Sequence, residues 1–316
     1  MRPGADLLSS FDRSWKDFSE AWKGARSKAS EKSVHDLRVK TRRLIAVLEL
    51  AQALSSRNGI DKLRRRFKRV LKGMGPLRDL QVQLGNVTQI RQGRFIADFK
   101  DGLQRRERRE VKRIPGELKR GTKHRLTKDI KKLLSELDHS SRALGDSRIV
   151  RSVERVISSR RNEFLKAERR FQRLRPANEE ALHEMRIALK KMRYVVEAAQ
   201  PVLEPSAKQR AREMRTFQQM MGDSRDLEIL RTELDRWARK KGRKIAIVPA
   251  LEQLQEKREE LIKRITQSAP DLDKLALTHR LKPAAENTHA VSASVSSPAT
   301  VSPLVRGEHP DPRLKK

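Results

Sequence analysis

The sequence predicts an all-α protein built as two homologous helical halves. Three observations carry that reading. Apolar residues recur with the helical period, as where Leu37, Leu44, Val47, Leu48, Ala51 and Leu54 share one face. Gly and Pro fall at helix-length intervals, and few windows alternate with period two. A ten-residue basic motif occurs twice, at the same place in each half.

The elements follow in order. Leu7, Leu8, Phe11, Trp15, Phe18 and Trp22 open the chain with a helical apolar stripe. A second helix carries His35 to Leu54 and stops before Asn58-Gly59. A basic helix, Arg64 to Lys72, ends at Gly73 and Gly75-Pro76, and the Arg78-Asp79 pair opens the next. Pro115-Gly116 and Gly145 mark later breaks, and Asp138 to Ser147 joins the halves. In the second half the motif helix ends before Pro201 and Pro205. A basic helix then runs to Gly222, and Arg225-Asp226 is expected to open another helix. Ile245 to Val248 is the one strand-like run; beside Pro249 it reads as a loop or helix entry. The expected organisation is one helical half at 5–137, a second at 147–269, and a disordered low-complexity tail at 283–316 rich in Pro, Ala, Ser, Thr and Val.

The repeat is specific. His35-Asp36-Leu37-Arg38-Val39-Lys40-Thr41-Arg42-Arg43-Leu44 aligns with His183-Glu184-Met185-Arg186-Ile187-Ala188-Leu189-Lys190-Lys191-Met192. Gly75-Pro76-Leu77-Arg78-Asp79-Leu80 aligns with Gly222-Asp223-Ser224-Arg225-Asp226-Leu227 at nearly the same spacing. Between them Arg65 aligns with Arg212 and Lys68 with Arg215, while Gln219 stands where Lys72 would align. On a helical wheel His35, Arg38 and Arg42 fall within about 60° of one another, opposite the apolar face. His183, Arg186, Lys190 and Arg193 repeat that stripe. A stripe of this kind extends over roughly 10 Å, which suits an extended anion more than one phosphate. Arg offers a planar fork to phosphate oxygens and Lys a point charge.

The candidate anion-binding residues are therefore His35, Arg38, Arg42, Arg43, Arg65, Lys68, Lys72 and Arg78, with His183, Arg186, Lys190, Lys191, Arg193, Arg212, Arg215 and Arg225. Arg64, Arg66 and Arg69 read as ordinary surface. Asp79 and Asp226 read as acids that cap the helix or fix the neighbouring Arg. Each His would donate to an anion.

Composition sets the class of partner. Lys and Arg number 74 against 41 Asp and Glu, a formal charge of +33 with pI about 11.1. Nearly all of the excess lies on the helical part. That implies a polyanion: nucleic acid, an anionic membrane or a phosphate polymer, of which the membrane is not the expected partner. No run approaches a membrane span. The absence of Cys excludes disulfides and thiolate zinc sites and fits a reducing cytosol. Aromatic residues are 4%, too few for base-stacking platforms. A zinc site at either His lacks a ligand one turn on, where Arg38 and Val39, or Arg186 and Ile187, stand. No carboxylates converge by spacing, and there is no phosphate-binding Gly-rich loop. No metal or cofactor is expected.

The His-x-x-Arg-x-x-x-basic-basic helix, the basic helix and the Gly-x-x-Arg-Asp-Leu element, in that order and in duplicate, resemble the CHAD family of α-helical domains with conserved histidines. The resemblance covers residues 5 to about 270. It implies two antiparallel bundles related by a pseudo-two-fold axis, with the basic residues lining a central groove or pore. It further implies binding of inorganic polyphosphate, since family members bind that polymer and some are found on polyphosphate granules; with no converging carboxylates or phosphate loop in this sequence, the expectation is noncatalytic binding in the cytoplasm. One departure is Ile45, where the family's first motif often has Arg; the second copy keeps Arg193. Many relatives carry a catalytic triphosphate-tunnel domain with an alternating Glu-x-Glu-x-Lys strand, and no such strand is present here. The alternative from charge alone is a nucleic-acid binder that reads the phosphate backbone.

Overall fold

Ten α-helices follow from the apolar periodicity in a computed structural model that describes residues 3–55, 59–90, 93–174, 178–242 and 244–268. They are α1 (Pro3–Ser27), α2 (Glu31–Leu54), α3 (Gly59–Gly73), α4 (Gly75–Val87), α5 (Arg94–Glu117), α6 (Arg120–Ala143), α7 (Asp146–Arg173), α8 (Glu179–Ala199), α9 (Ser206–Lys240) and α10 (Val248–Ser268). There is no strand among the described residues, so the protein is all-α. No described helix is long and apolar enough to cross a membrane. The tail expected at 283–316 lies outside the described residues.

The first helix is held by aromatic packing. Phe18 stacks on Trp15 at 5.4 Å between ring centroids and meets Phe67 of α3 edge-on at 5.2 Å. Trp22 adds a tilted contact at 5.7 Å. Such pairs contribute beyond their buried area. The main core joins α1, α2, α3, α6, α7 and α8 with the start of α9, so helices of both halves share one interior. Within it α2 packs directly on α8. A second cluster gathers Leu80, Val87, Ile96, Phe99 and Leu103 from the first half with Leu230, Leu234, Ile247, Ala250 and Leu254 from the second. Helix α5 links the two clusters: Leu103 and Ile114 are buried, and nothing between them is.

Two local expectations change. Gly222 does not end a helix; α9 runs unbroken for 35 residues, so Arg225-Asp226 sits inside it. The buried Met221 and Ser224 flank this stretch and tertiary packing overrides the weak Gly signal. Pro115 lies within the last turn of α5, which continues to Glu117. The Gly145 break falls where expected, with Leu144 and Gly145 between α6 and α7, and the rest of Asp138 to Ser147 is helical. Ile245–Ile247 forms a short 3-10 turn leading into α10, as a helix entry. Gly242, with φ of 63°, makes the left-handed turn before it.

Candidate functional site

The two motif helices start at equivalent residues, and that sets the site. Ser30 caps α2 by accepting from the Ser33 backbone N–H at 3.2 Å. Asn178 caps α8 by accepting from the Ala181 N–H at 2.9 Å. An N-cap oxygen satisfies one orphan donor and fixes where the helix begins. The caps are 148 residues apart, as are His35 and His183, so both stripes begin at the same height on their helices.

The next residue in each helix is an acid, and it grips an arginine. Glu31 binds Arg78 at 2.8 Å, and Glu179 binds Arg225 at 3.4 Å. Glu179 also pairs with the buried Arg258 of α10, which lies 3.5 Å from Glu228. Asp79 and Asp226 therefore do not hold Arg78 and Arg225 by direct ion pairs. They face the stripes: Asp79 acts electrostatically on Arg38, Arg78 and Arg42, and Asp226 on Arg186 and Arg78.

The α2–α8 seam brings the two stripes into one cationic cluster. Arg42 of α2 feels Arg186 and Lys190 of α8, and Lys190 feels Arg38, Arg42, Arg186 and Arg193. Burial first, then this repulsion, pushes the Lys190 ammonium down to about 7. Arg38 falls to about 10 for the same reasons and stays charged at neutral pH. Its Nη1 donates to the Leu71 carbonyl at 2.9 Å, near the end of α3, where a cation suits the helix dipole. Arg186 is lowered by burial, and its Nε is buried with no hydrogen-bond partner. Both histidines are exposed on the rim, with pKa values lowered by desolvation and then by neighbouring arginines. Opposite this charge sit Asp79 and Asp226, one from each half and within electrostatic reach of each other. Desolvation raises both, Asp226 to about 6.

Other candidates fall elsewhere. Glu197 gathers Arg193, Arg215 at 3.0 Å and Arg43 at 3.6 Å. Arg193 is 5% exposed, donates to Gln218 at 2.9 Å, and lies 4.2 Å over the Tyr194 ring. Arg43, Arg212 and Arg215 line a separate cavity of about 290 Å³ with Arg13, Lys208, Asp17 and Glu197. Lys191 lies 3.6 Å from Glu163. Arg65, Lys68 and Lys72 stand exposed on α3, and Arg64 and Arg66 are tied to Asp61 and Asp129. The residues that converge at the seam are thus His35, Arg38, Arg42, Arg78, His183, Arg186, Lys190 and Arg225.

Sequence reasoning missed Glu31, Glu179, Glu197 and the two caps. The signal was present, since Ser30 and Asn178, Glu31 and Glu179, and Glu49 and Glu197 all keep the 148-residue spacing of the histidines. Glu49 also acts as a hub, pairing with Arg64 at 3.6 Å and with Arg160. Among the described residues no group of three or more His, Asp or Glu side chains could hold a metal ion.

Comparison with known structures finds the same architecture. The crystal structure of the CHAD domain from the plant Ricinus communis superposes with a TM-score of 0.63 at 17% identity, over 89% of this chain and 95% of that one. PptA from Streptomyces chartreusis gives 0.52 at 12% identity, over 87% of this chain and all of the other. A comparison with curated proteins finds no match. Residues 10–235, which hold both motif helices, match the CHAD domain. The chain belongs to the CHAD domain family.

Proposed function

We propose that the α2–α8 seam binds inorganic polyphosphate, and that the protein is a noncatalytic polyphosphate-binding module of the cytoplasm, associated with polyphosphate granules. The observation that carries this is the convergence of Arg38, Arg42, Arg186 and Lys190 into one half-buried cationic cluster. Gathering like charges away from water is unfavourable, and an amine near neutrality with an orphaned guanidinium Nε beside it registers that cost. A phosphate chain relieves it at several positions at once. The Glu31–Arg78 and Glu179–Arg225 pairs set one arginine at each rim, where a chain would pass.

Binding rather than turnover fits the acids. Glu31 and Glu179 are committed to arginines, and Asp79 and Asp226 lie in the field of several cations. The halves at 5–137 and 147–269 act together in this proposal, because each supplies one stripe. The test is titration with length-defined polyphosphate at 150 mM salt, with duplex DNA as competitor. Submicromolar binding that DNA does not displace, lost in Arg38→Ala with Arg186→Ala, supports the proposal. Binding no tighter than to DNA moves the backbone-reading nucleic-acid alternative ahead. Phosphate release on adding Mg²⁺ or Mn²⁺ would refute the noncatalytic part.

A further inference from the structure

A second concentration of positive charge lies outside the seam, between the end of α1 and the start of α6. Trp22, Lys23, Arg26 and Ser27 of α1 face Lys123, His124 and Thr127 of α6 across an open cavity of about 640 Å³. None of its lining residues is acidic. The acids within a turn along these helices, Glu20 and Asp129, do not line it, and Asp129 is taken by Arg66. Elsewhere the pattern differs: Arg113, Arg142, Arg210, Arg231, Arg236 and Arg239 each meet an acid one turn away on their own helix.

We propose that this cavity is a second anion site, which takes a phosphoryl group. Its parts are arranged for that. The Lys123 ammonium donates to the Ser19 carbonyl at 3.3 Å, which anchors it and leaves two N–H donors free. Lys23 is close enough to repel it: burial and then that repulsion lower the Lys123 pKa. Arg26 has its Nε buried without a hydrogen-bond partner. Thr127 spends its hydroxyl proton on the Lys123 carbonyl at 2.9 Å, which leaves its oxygen as an acceptor only, so the donors come from the cations and Ser27. Trp22 is almost wholly buried and forms an apolar floor, which lowers the local dielectric and strengthens attraction for an anion. A multiply charged phosphate removes the repulsion among the three cations; a chloride ion removes less.

The phosphoryl group has two sources, a free short oligophosphate or a segment of a long chain whose remainder lies at the seam. Lys40 of α2 pairs with Asp17 of the antiparallel α1, which places Lys23 and Arg26 near the same end of that hairpin as His35. One long chain occupying both places would gain from effective concentration. The cavity itself does not depend on the seam being a polyphosphate site.

Calorimetry on the full chain at 150 mM salt tests this, with inorganic tripolyphosphate and long polyphosphate as probes. The expected result is a tripolyphosphate site that survives Arg38→Ala with Arg186→Ala and weakens at least tenfold in Lys23→Ala with Lys123→Ala. Lys23→Arg with Lys123→Arg retains it. Removing two exposed lysines further along α6, Lys131→Ala with Lys132→Ala, leaves it within twofold and controls for general charge. A loss seen also with long chains assigns the site to a chain segment, and a loss confined to tripolyphosphate assigns it to a free anion. The proposal is overturned if the Lys23 and Lys123 pair binds tripolyphosphate as the parent protein does. It is equally overturned if the seam variant abolishes all tripolyphosphate binding, or if the Lys131 and Lys132 control loses as much. Circular dichroism verifies the fold of each variant.

Discussion

If a phosphate chain neutralises the seam, binding must draw a proton from solution, and Lys190 is the group that takes it. Burial and four neighbouring arginines hold its pKa at about 7 instead of the ordinary 10.5. At pH 8 such an amine is only about one-tenth protonated in the free protein. A polyanion beside it reverses the sign of its surroundings and restores the charge, so about 0.9 proton is taken up per chain bound. By linkage the affinity then falls with rising pH, by close to tenfold between about pH 8 and pH 9. The assay is calorimetry of polyphosphate binding at pH 8 in buffers of different ionisation enthalpy, where the slope of the apparent enthalpy counts protons. His35 and His183, whose pKa values lie below 6.5, also gain protons near phosphate, so the measurement uses a His35→Gln, His183→Gln background. Asp226, at about 6, is ionised throughout this range. Replacing Lys190 by Met keeps the apolar stem and should remove the uptake. Equal apparent enthalpies in all buffers, or the same uptake in Lys190→Met, would refute the account of the seam.

Three further outcomes are expected. Arg38→Ala with Arg186→Ala should lower polyphosphate affinity more than His35→Ala with His183→Ala, because the arginines are always charged and partly buried while the histidines are exposed and mostly neutral at pH 7.5; competition binding ranks the two pairs, and equal losses count against the ranking. Glu197→Ala strands the buried Arg193 and unties Arg43 and Arg215, so it should cost about 3 kcal/mol in urea unfolding, with Glu197→Gln milder. Asp226 has its folded pKa raised to about 6, so its contribution to stability is complete below the ordinary value of 3.8 and lost as pH rises through 6. Asp226→Asn should therefore raise the unfolding free energy by roughly 1–2 kcal/mol at pH 7.5 and leave it nearly unchanged at pH 3.5, and a destabilisation at pH 7.5 would show that attraction to Arg186 dominates instead.

What the sequence determined by itself was periodic and repeated. Helices such as α1 and α2 were legible because their apolar residues recur on one face, and burial selects that face whatever the neighbours are. The stripe His35, Arg38, Arg42 and its copy were legible because helical geometry alone puts those residues together. The repeat also contained the buttress: Glu31 and Glu179 keep the same spacing, but an acid in a first turn reads as a response to the helix dipole until its partner is seen. Only tertiary structure decided which cations meet. Arg193 falls within about 20° of Arg186 on the helical wheel and Arg43 about 80° from His35, yet both are drawn to the Glu197 hub, which only the packed structure brings together. Arg212 and Arg215 follow α9 into another cavity for the same reason. Gly222 is a stop in isolation and a mid-helix residue once Met221 and Ser224 are buried beside it. Local sequence fixes the face a residue takes on its own helix; the packing of α2 on α8 fixes which two faces oppose, and the shifted charge of Lys190 exists only because they do.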